Sequence, residues 1–134
     1  MRKEVKRVVK NREYVIYQFN TVDGLKYLTK LSKLVGKSFG VLGKAKAENK
    51  EIDFDLLVES FTEKLDESTV DFIQDLMSCV MFQGKRVSDI FDAHFQSDYL
   101  TLFDLVKEVL EVNFKDFLLG MLERVGVVHQ EKQK

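Results

Sequence analysis

The sequence predicts a mainly α-helical fold: a small domain of about five to six helices with a short N-terminal β-hairpin. Three observations carry that prediction. Apolar residues recur at spacings of three and four from about residue 22 to residue 126. No proline interrupts them anywhere in the chain. Near the N-terminus, "EYVIYQF" is instead rich in β-branched and aromatic residues that alternate along the run. At 134 residues, 45% of them hydrophobic and 32% charged, the chain suits one globular domain spanning 1–134.

The hairpin falls over 4–19. Its strands are 4–9 and 13–19, joined by a turn at Lys10, Asn11 and Arg12, with Val15, Tyr17 and Phe19 sharing one side of the second strand. The first strand has fewer apolar residues and reads as an exposed edge guarded by lysines and arginines. A helix over about 22–36 follows, capped by Thr21 or Asp23 and closed by Gly36. Leu25, Leu28, Leu31, Leu34 and Val35 form its apolar stripe, and Lys26, Lys30, Lys33 and Lys37 a basic one. Glycines at 36, 40 and 43 lead into a polar connector over 44–51.

The remainder, 52–126, is helical. Phe54, Leu57, Val58, Phe61 and Leu65 share a face, and Asp66 or Ser68 caps a helix striped by Val70, Ile73, Leu76, Met77 and Val80. "MFQGKRV" turns around Gly84. Ser88 caps a short helix reaching His94 or Phe95, and Ser97 caps the next, with Asp98 in its first turn. That helix carries Tyr99, Leu102, Phe103, Val106, Val109 and Leu110 and either breaks or continues near Asn113. Phe114, Phe117, Leu118, Met121, Leu122 and Val125 extend the stripe to Gly126, and 127–134 is a frayed tail.

The net charge of −1 conceals a polarity. Residues 1–50 hold 13 basic and 4 acidic side chains, and residues 51–134 hold 8 and 18. The two halves attract each other within one chain or between copies, or the basic half meets an acidic partner. A lone cysteine, Cys79, excludes an internal disulfide, and its apolar setting reads as a buried structural thiol. No stretch reaches the length of a transmembrane helix, so no membrane association is expected.

Catalytic and cofactor motifs are lacking. "VGKSFG" ends like a phosphate-binding loop, but the glycine required five residues before Gly36 is Leu31. Asp92, His94 and Asp98 are too few for a metal site once Ser97 starts a new helix between them. The carboxylate pairs Glu59 with Glu63 and Asp71 with Asp75 are solvated helix faces. The expectation is a protein that is not an enzyme and takes no cofactor. Nucleic-acid binding through Lys26, Lys30, Lys33 and Lys37, helped by Arg2, Lys3, Lys6 and Arg7, is the alternative. The slight overall acidity and the lack of basic runs interleaved with aromatics weigh against it.

Aromatic rings are in surplus. Five of the 11 phenylalanines lie between residues 91 and 117, and "FDAHFQSDYLTLF" places Phe91, Phe95, Tyr99 and Phe103 four apart. Core packing is the ordinary use of such rings, and it is the expectation for Phe103, Phe114 and at least half of the others. The excess points to a surface covered by another chain, either a second copy or an amphipathic partner helix.

Two stretches, "YQFNTVDGLKYLTKLSKLVGKSFG" (17–40) and "FDAHFQSDYLTLFDLVKEVLEVNFKDFL" (91–118), resemble the lambda-like tail assembly chaperones of long-tailed bacteriophages. The resemblance covers both ends of the chain, whereas 44–85 is generic amphipathic helix. It implies a non-enzymatic role in the host cytoplasm: binding the tape measure protein and keeping it soluble until the tail tube polymerises. It also implies absence from the finished virion, and in some phages a frameshifted extended form that recruits the tail tube protein. With the ring surplus, it nominates Leu28, Leu31, Phe91, Phe95, Tyr99, Phe117 and Leu118 as the border of the partner-binding surface. Polarised charge adds self-association as a further expectation.

Overall fold

The computed structural model describes residues 3–35, 54–63 and 65–133, with side chains in the last helix as far as Gly120. Strands β1 (Glu4–Val9) and β2 (Arg12–Tyr17) form the predicted hairpin. Helices α1 (Thr21–Val35), α2 (Phe54–Glu63) and α3 (Glu67–Leu76) follow, and a 3-10 turn leads to strands β3 (Val80–Phe82) and β4 (Lys85–Arg86). A second 3-10 turn precedes the short α4 (Phe91–Phe95) and the long α5 (Tyr99–Gln133). The four strands form one antiparallel sheet in sequence order.

The hairpin turn is tighter than expected. Lys10 and Asn11 both have positive φ, 50° and 65°. Arg12 is already paired with Val9. A two-residue loop of this kind matches the right-handed twist of the flanking strands, which a longer one need not. Gln83 and Gly84 close β3 to β4 in the same way. The second strand also ends early. Phe19 leaves the ladder because its N–H donates to Asn113 Oδ1 of α5 at 2.8 Å. The buried side of β2 is Tyr14 and Ile16, so Val15 and Tyr17 lie on the opposite, half-covered face.

Asn20 caps α1, where Thr21 or Asp23 was expected. Its Oδ1 accepts from Asp23 N–H at 2.9 Å, and its side-chain amide donates back to the Asp23 carboxylate at 3.1 Å. The stripe also differs. Leu31 is fully buried and Leu28, Leu34 and Tyr27 are half-buried, but Leu25 is 60% exposed. Each three-residue step falls about 60° short of a full turn, so a run of such steps walks around the helix. Val70 of α3 is exposed for the same reason, and Phe72 takes its place in the core. Gly36, Lys37 and the connector 44–51 lie outside the described residues.

Asp66 caps α3, its carboxylate accepting from Thr69 N–H at 2.8 Å and from the hydroxyls of Ser68 and Thr69. Ser97, expected to cap α5, instead has φ 67° beside Gln96 at 46°. Asp98 does the capping, accepting from Thr101 N–H at 3.2 Å and from its hydroxyl at 2.7 Å. The helix then passes Asn113 unbroken and passes Gly126, where an end was expected, to reach Gln133. A single interior glycine costs a helix only about 1 kcal/mol, too little to stop a long one.

The core lies where α5 meets the sheet, α1, α2 and α3. Leu102, Val106, Leu110, Phe114 and Leu118 form its principal ridge, joined by Leu105 and Val109. The flanks of the helix are tied to opposite neighbours: Lys107 Nζ to Asp55 of α2 at 3.1 Å, and Glu108 Oε2 to Arg7 Nε of β1 at 3.1 Å. The Arg7–Glu108 pair and the Lys30–Asp75 pair at 3.4 Å both join the basic half of the chain to the acidic half. Part of the charge polarity is therefore answered within the molecule, although the exposed Lys30–Asp75 pair is worth roughly 0–1 kcal/mol.

Asn113 holds hairpin and helix together from one side chain, since its amide also donates to Val109 O at 3.1 Å. Asn113→Ala leaves the Phe19 N–H without this acceptor. The expected loss is about 1–3 kcal/mol in urea unfolding with an unchanged m-value.

Candidate functional site

The nominated residues separate by depth. Leu31, Phe95 and Leu118 are core side chains, at most 5% exposed. Leu28 and Phe91 are half-buried. Tyr99 and Phe117 are open, at 64% and 46%. Phe103, expected inside, is half-buried, whereas Phe114 is buried.

The open rings mark the start and the midpoint of α5. Eighteen residues separate Tyr99 from Phe117, about five turns or 27 Å of helix, so they point the same way. Between them Val106 and Leu110 are fully buried. The stretch between them is covered and the two rings project on either side of it. Near the helix midpoint, Phe114 lies 6.4 Å from Phe19, whose ring is 4.7 Å from Tyr27 of α1. Phe117 therefore sits one turn beyond the place where α1 packs.

The near end is a corner. The chain leaves α4 with Gln96 N–H donating to Asp92 O at 2.9 Å, passes two left-handed residues, and enters α5 with Asp98 N–H donating to Phe95 O at 2.8 Å. This reversal drives Phe95 into the core and turns Tyr99 outward. It brings out Leu100 as well, at 73% the most exposed large apolar side chain among the described residues. Leu100 is absent from the set nominated by sequence. The signal was present: Tyr99, Leu100, Leu102 and Phe103 are four apolar residues in the first five of a helix, too many for a single stripe to bury. Val22 and Leu25 of α1 are likewise open, at 62% and 60%.

Beneath the corner lies His94. Its Nε2 is 2.6 Å from the Tyr14 hydroxyl, and its ring meets Phe82 and Phe95 at centroid distances of 4.7 and 4.9 Å. Arg12 reaches the His94 carbonyl at 3.4 Å. Burial first, and the Arg12 charge second, hold the imidazole below its usual pKa. Burial likewise raises the Tyr14 phenol. The histidine is a neutral latch between β2 and α4. The left-handed residues at 96 and 97 break the four-residue spacing that would place His94 and Asp98 on one helix face. Among the described residues no three of His, Cys, Asp and Glu are placed to hold a metal ion. Cys79 is buried, its thiol donating to Leu76 O at 3.3 Å. Lys26, Lys30 and Lys33 line the exposed side of α1. Lys30 is held by Asp75 and lies 5.9 Å from the ring centres of Tyr27 and Phe72. No helix among the described residues is long and apolar enough to cross a membrane.

These features define a small helical domain with apolar side chains presented at the start and midway along its longest helix. A family model described as phage tail assembly chaperone protein, TAC, matches residues 10–123. The chain belongs to this family of phage tail assembly chaperones. No curated protein and no solved structure matches it.

The latch gives a pH prediction. A histidine whose folded pKa is lowered takes up protons more readily when the chain is unfolded. Stability should therefore fall as pH drops through the ordinary value of 6.5 toward the depressed folded value. Glu108 acts in the opposite sense, because burial and Glu111 raise its carboxyl despite Arg7. The lowered carboxyls of Asp66 and Asp98 act only below about 3.8. Subtracting the stability–pH curve of His94→Gln from that of the parent should leave a loss on acidification confined to the histidine window. A flat difference would mean that His94 titrates normally.

Proposed function

We propose that this protein binds the tape measure protein during tail assembly and keeps it soluble until the tail tube polymerises around it. It acts in the host cytoplasm and leaves before the virion is complete. The observation that carries the proposal is the corner at the start of α5, where Tyr99 and Leu100 stand open above half-buried Phe91 and Phe103. Large apolar groups held in water at the end of a rigid helix gain free energy when another apolar surface covers them, about 25 cal/mol per Å² buried. A long helical chain with apolar stripes supplies such a surface without any need for one sequence, because the contact is non-directional.

Phe117, with Leu28 on α1, forms the second contact region. Leu31, Phe95 and Leu118 support the two regions from within the core. No covalent step is involved and no cofactor is required. Membership of the family supports a role in tail assembly. A frameshifted extended form that engages the tail tube protein is compatible with the same binding surface.

Depth separates contact from support, and the separation is measurable. Tyr99→Ser with Leu100→Ser should reduce the yield of soluble, co-expressed tape measure protein several-fold. The melting temperature should stay within about 3 °C of the parent, as for surface substitutions in general. Phe95→Ala should instead cost about 3–5 kcal/mol of stability and lose activity only through unfolding. An unchanged yield in the double variant would remove the corner from the binding surface. Retention of an oligonucleotide, abolished by Lys26→Glu with Lys33→Glu, would favour nucleic-acid binding instead.

A further inference from the structure

We infer that β1 is the seat of a two-fold dimer, in which the same strand of a second copy adds antiparallel and extends the sheet from four strands to eight. Among the described residues β1 has a neighbour on one side only, β2. Gln18 N–H donates to Lys3 O at 3.0 Å, which fixes the phase of the ladder. Lys3, Val5, Arg7 and Val9 direct their backbone groups toward β2, and Glu4, Lys6 and Val8 direct theirs outward. The outward N–H and C=O groups of these three residues are an open template for another strand.

Charge selects the occupant and the register. A two-fold axis at Glu4 would oppose two glutamates and one at Lys6 two lysines, and directly opposed like charges are unfavourable. An axis at Arg7 would run Glu4 into the partner's turn at Lys10. An axis at Val8 would run Lys6 into the turn at Lys10. An axis at Val5 sets Glu4 of each copy against Lys6 of the other, forming two opposite-charge pairs on the outer face. Beneath them, Val5 meets Val5 as a close, non-hydrogen-bonded pair. Lys3 then stands opposite Arg7, whose charge is already answered by Glu108 at 3.1 Å. The Glu4 carboxylate lies across from Tyr17 and raises its phenol pKa, so it is already held on the outer face where the partner's lysine arrives. The lysines that guard this edge against strands in general thus become complementary to one strand, that of the same protein. This interface is separate from the corner assigned to the tape measure protein, and its test does not depend on that assignment.

Sedimentation equilibrium of the full chain, without any partner, provides the test. The parent should dimerise reversibly. Glu4→Lys or Lys6→Glu alone replaces two attractive pairs by two repulsive ones and should weaken the dimer about tenfold. The double swap Glu4→Lys with Lys6→Glu should restore affinity to within about threefold. Lys6→Pro removes an outward N–H without touching the ladder to β2, and should give a folded monomer with an unchanged circular dichroism spectrum. A parent that stays monomeric at 100 times the working concentration of the assay, or a dimer indifferent to both Lys6→Pro and the charge swap, would overturn the proposal.

Discussion

Leu102, Val106, Leu110, Phe114 and Leu118 form one ridge along the longest helix, and its burial is the constraint on which the other elements depend. A ridge of i, i+4 steps advances about 40° around the helix at each residue, so no single flat neighbour can cover it. It needs the sheet, α2 and α3 as it turns. The hairpin and the short helices supply those surfaces. Lys107 and Glu108 set the limits of the groove by reaching α2 on one flank and β1 on the other.

The same constraint creates the exposed surface. A helix of 35 residues is about 50 Å long. That exceeds the body of a domain of this size, so short companions leave part of it uncovered. Tyr99 and Leu100 are left in solvent at its start and Phe117 is open midway along it. The apolar surface offered to a partner is a geometric consequence of pairing a long helix with short companions. It requires no cleft, which fits a family of tail assembly chaperones.

Polar contacts fix orientation more than they add stability. Asn113 connects the end of the hairpin to the middle of α5. His94 and Tyr14 connect the sheet to α4. Asp98 and Asn20 start two helices that carry open apolar side chains. Each of these contacts is local, or joins two elements already brought together by the core.

The helical class, the hairpin, the cap at Asp66, the turn at Gly84 and the family were legible in the sequence. All of them rest on local signals: periodicity, turn residues, side chains that bond within three positions, and motif order. Depth was not legible. Leu25 and Leu31 are both leucines three-residue steps apart, yet one is open and the other sealed, because six residues at 100° each leave them about 120° apart around α1. Phe95 and Tyr99 are four apart in an aromatic ladder, but two left-handed residues between them send one inward and the other out. Composition by itself determined that this protein is rich in rings. Only the tertiary structure decided which of them are open, because exposure depends on where distant segments pack, and no local pattern encodes that.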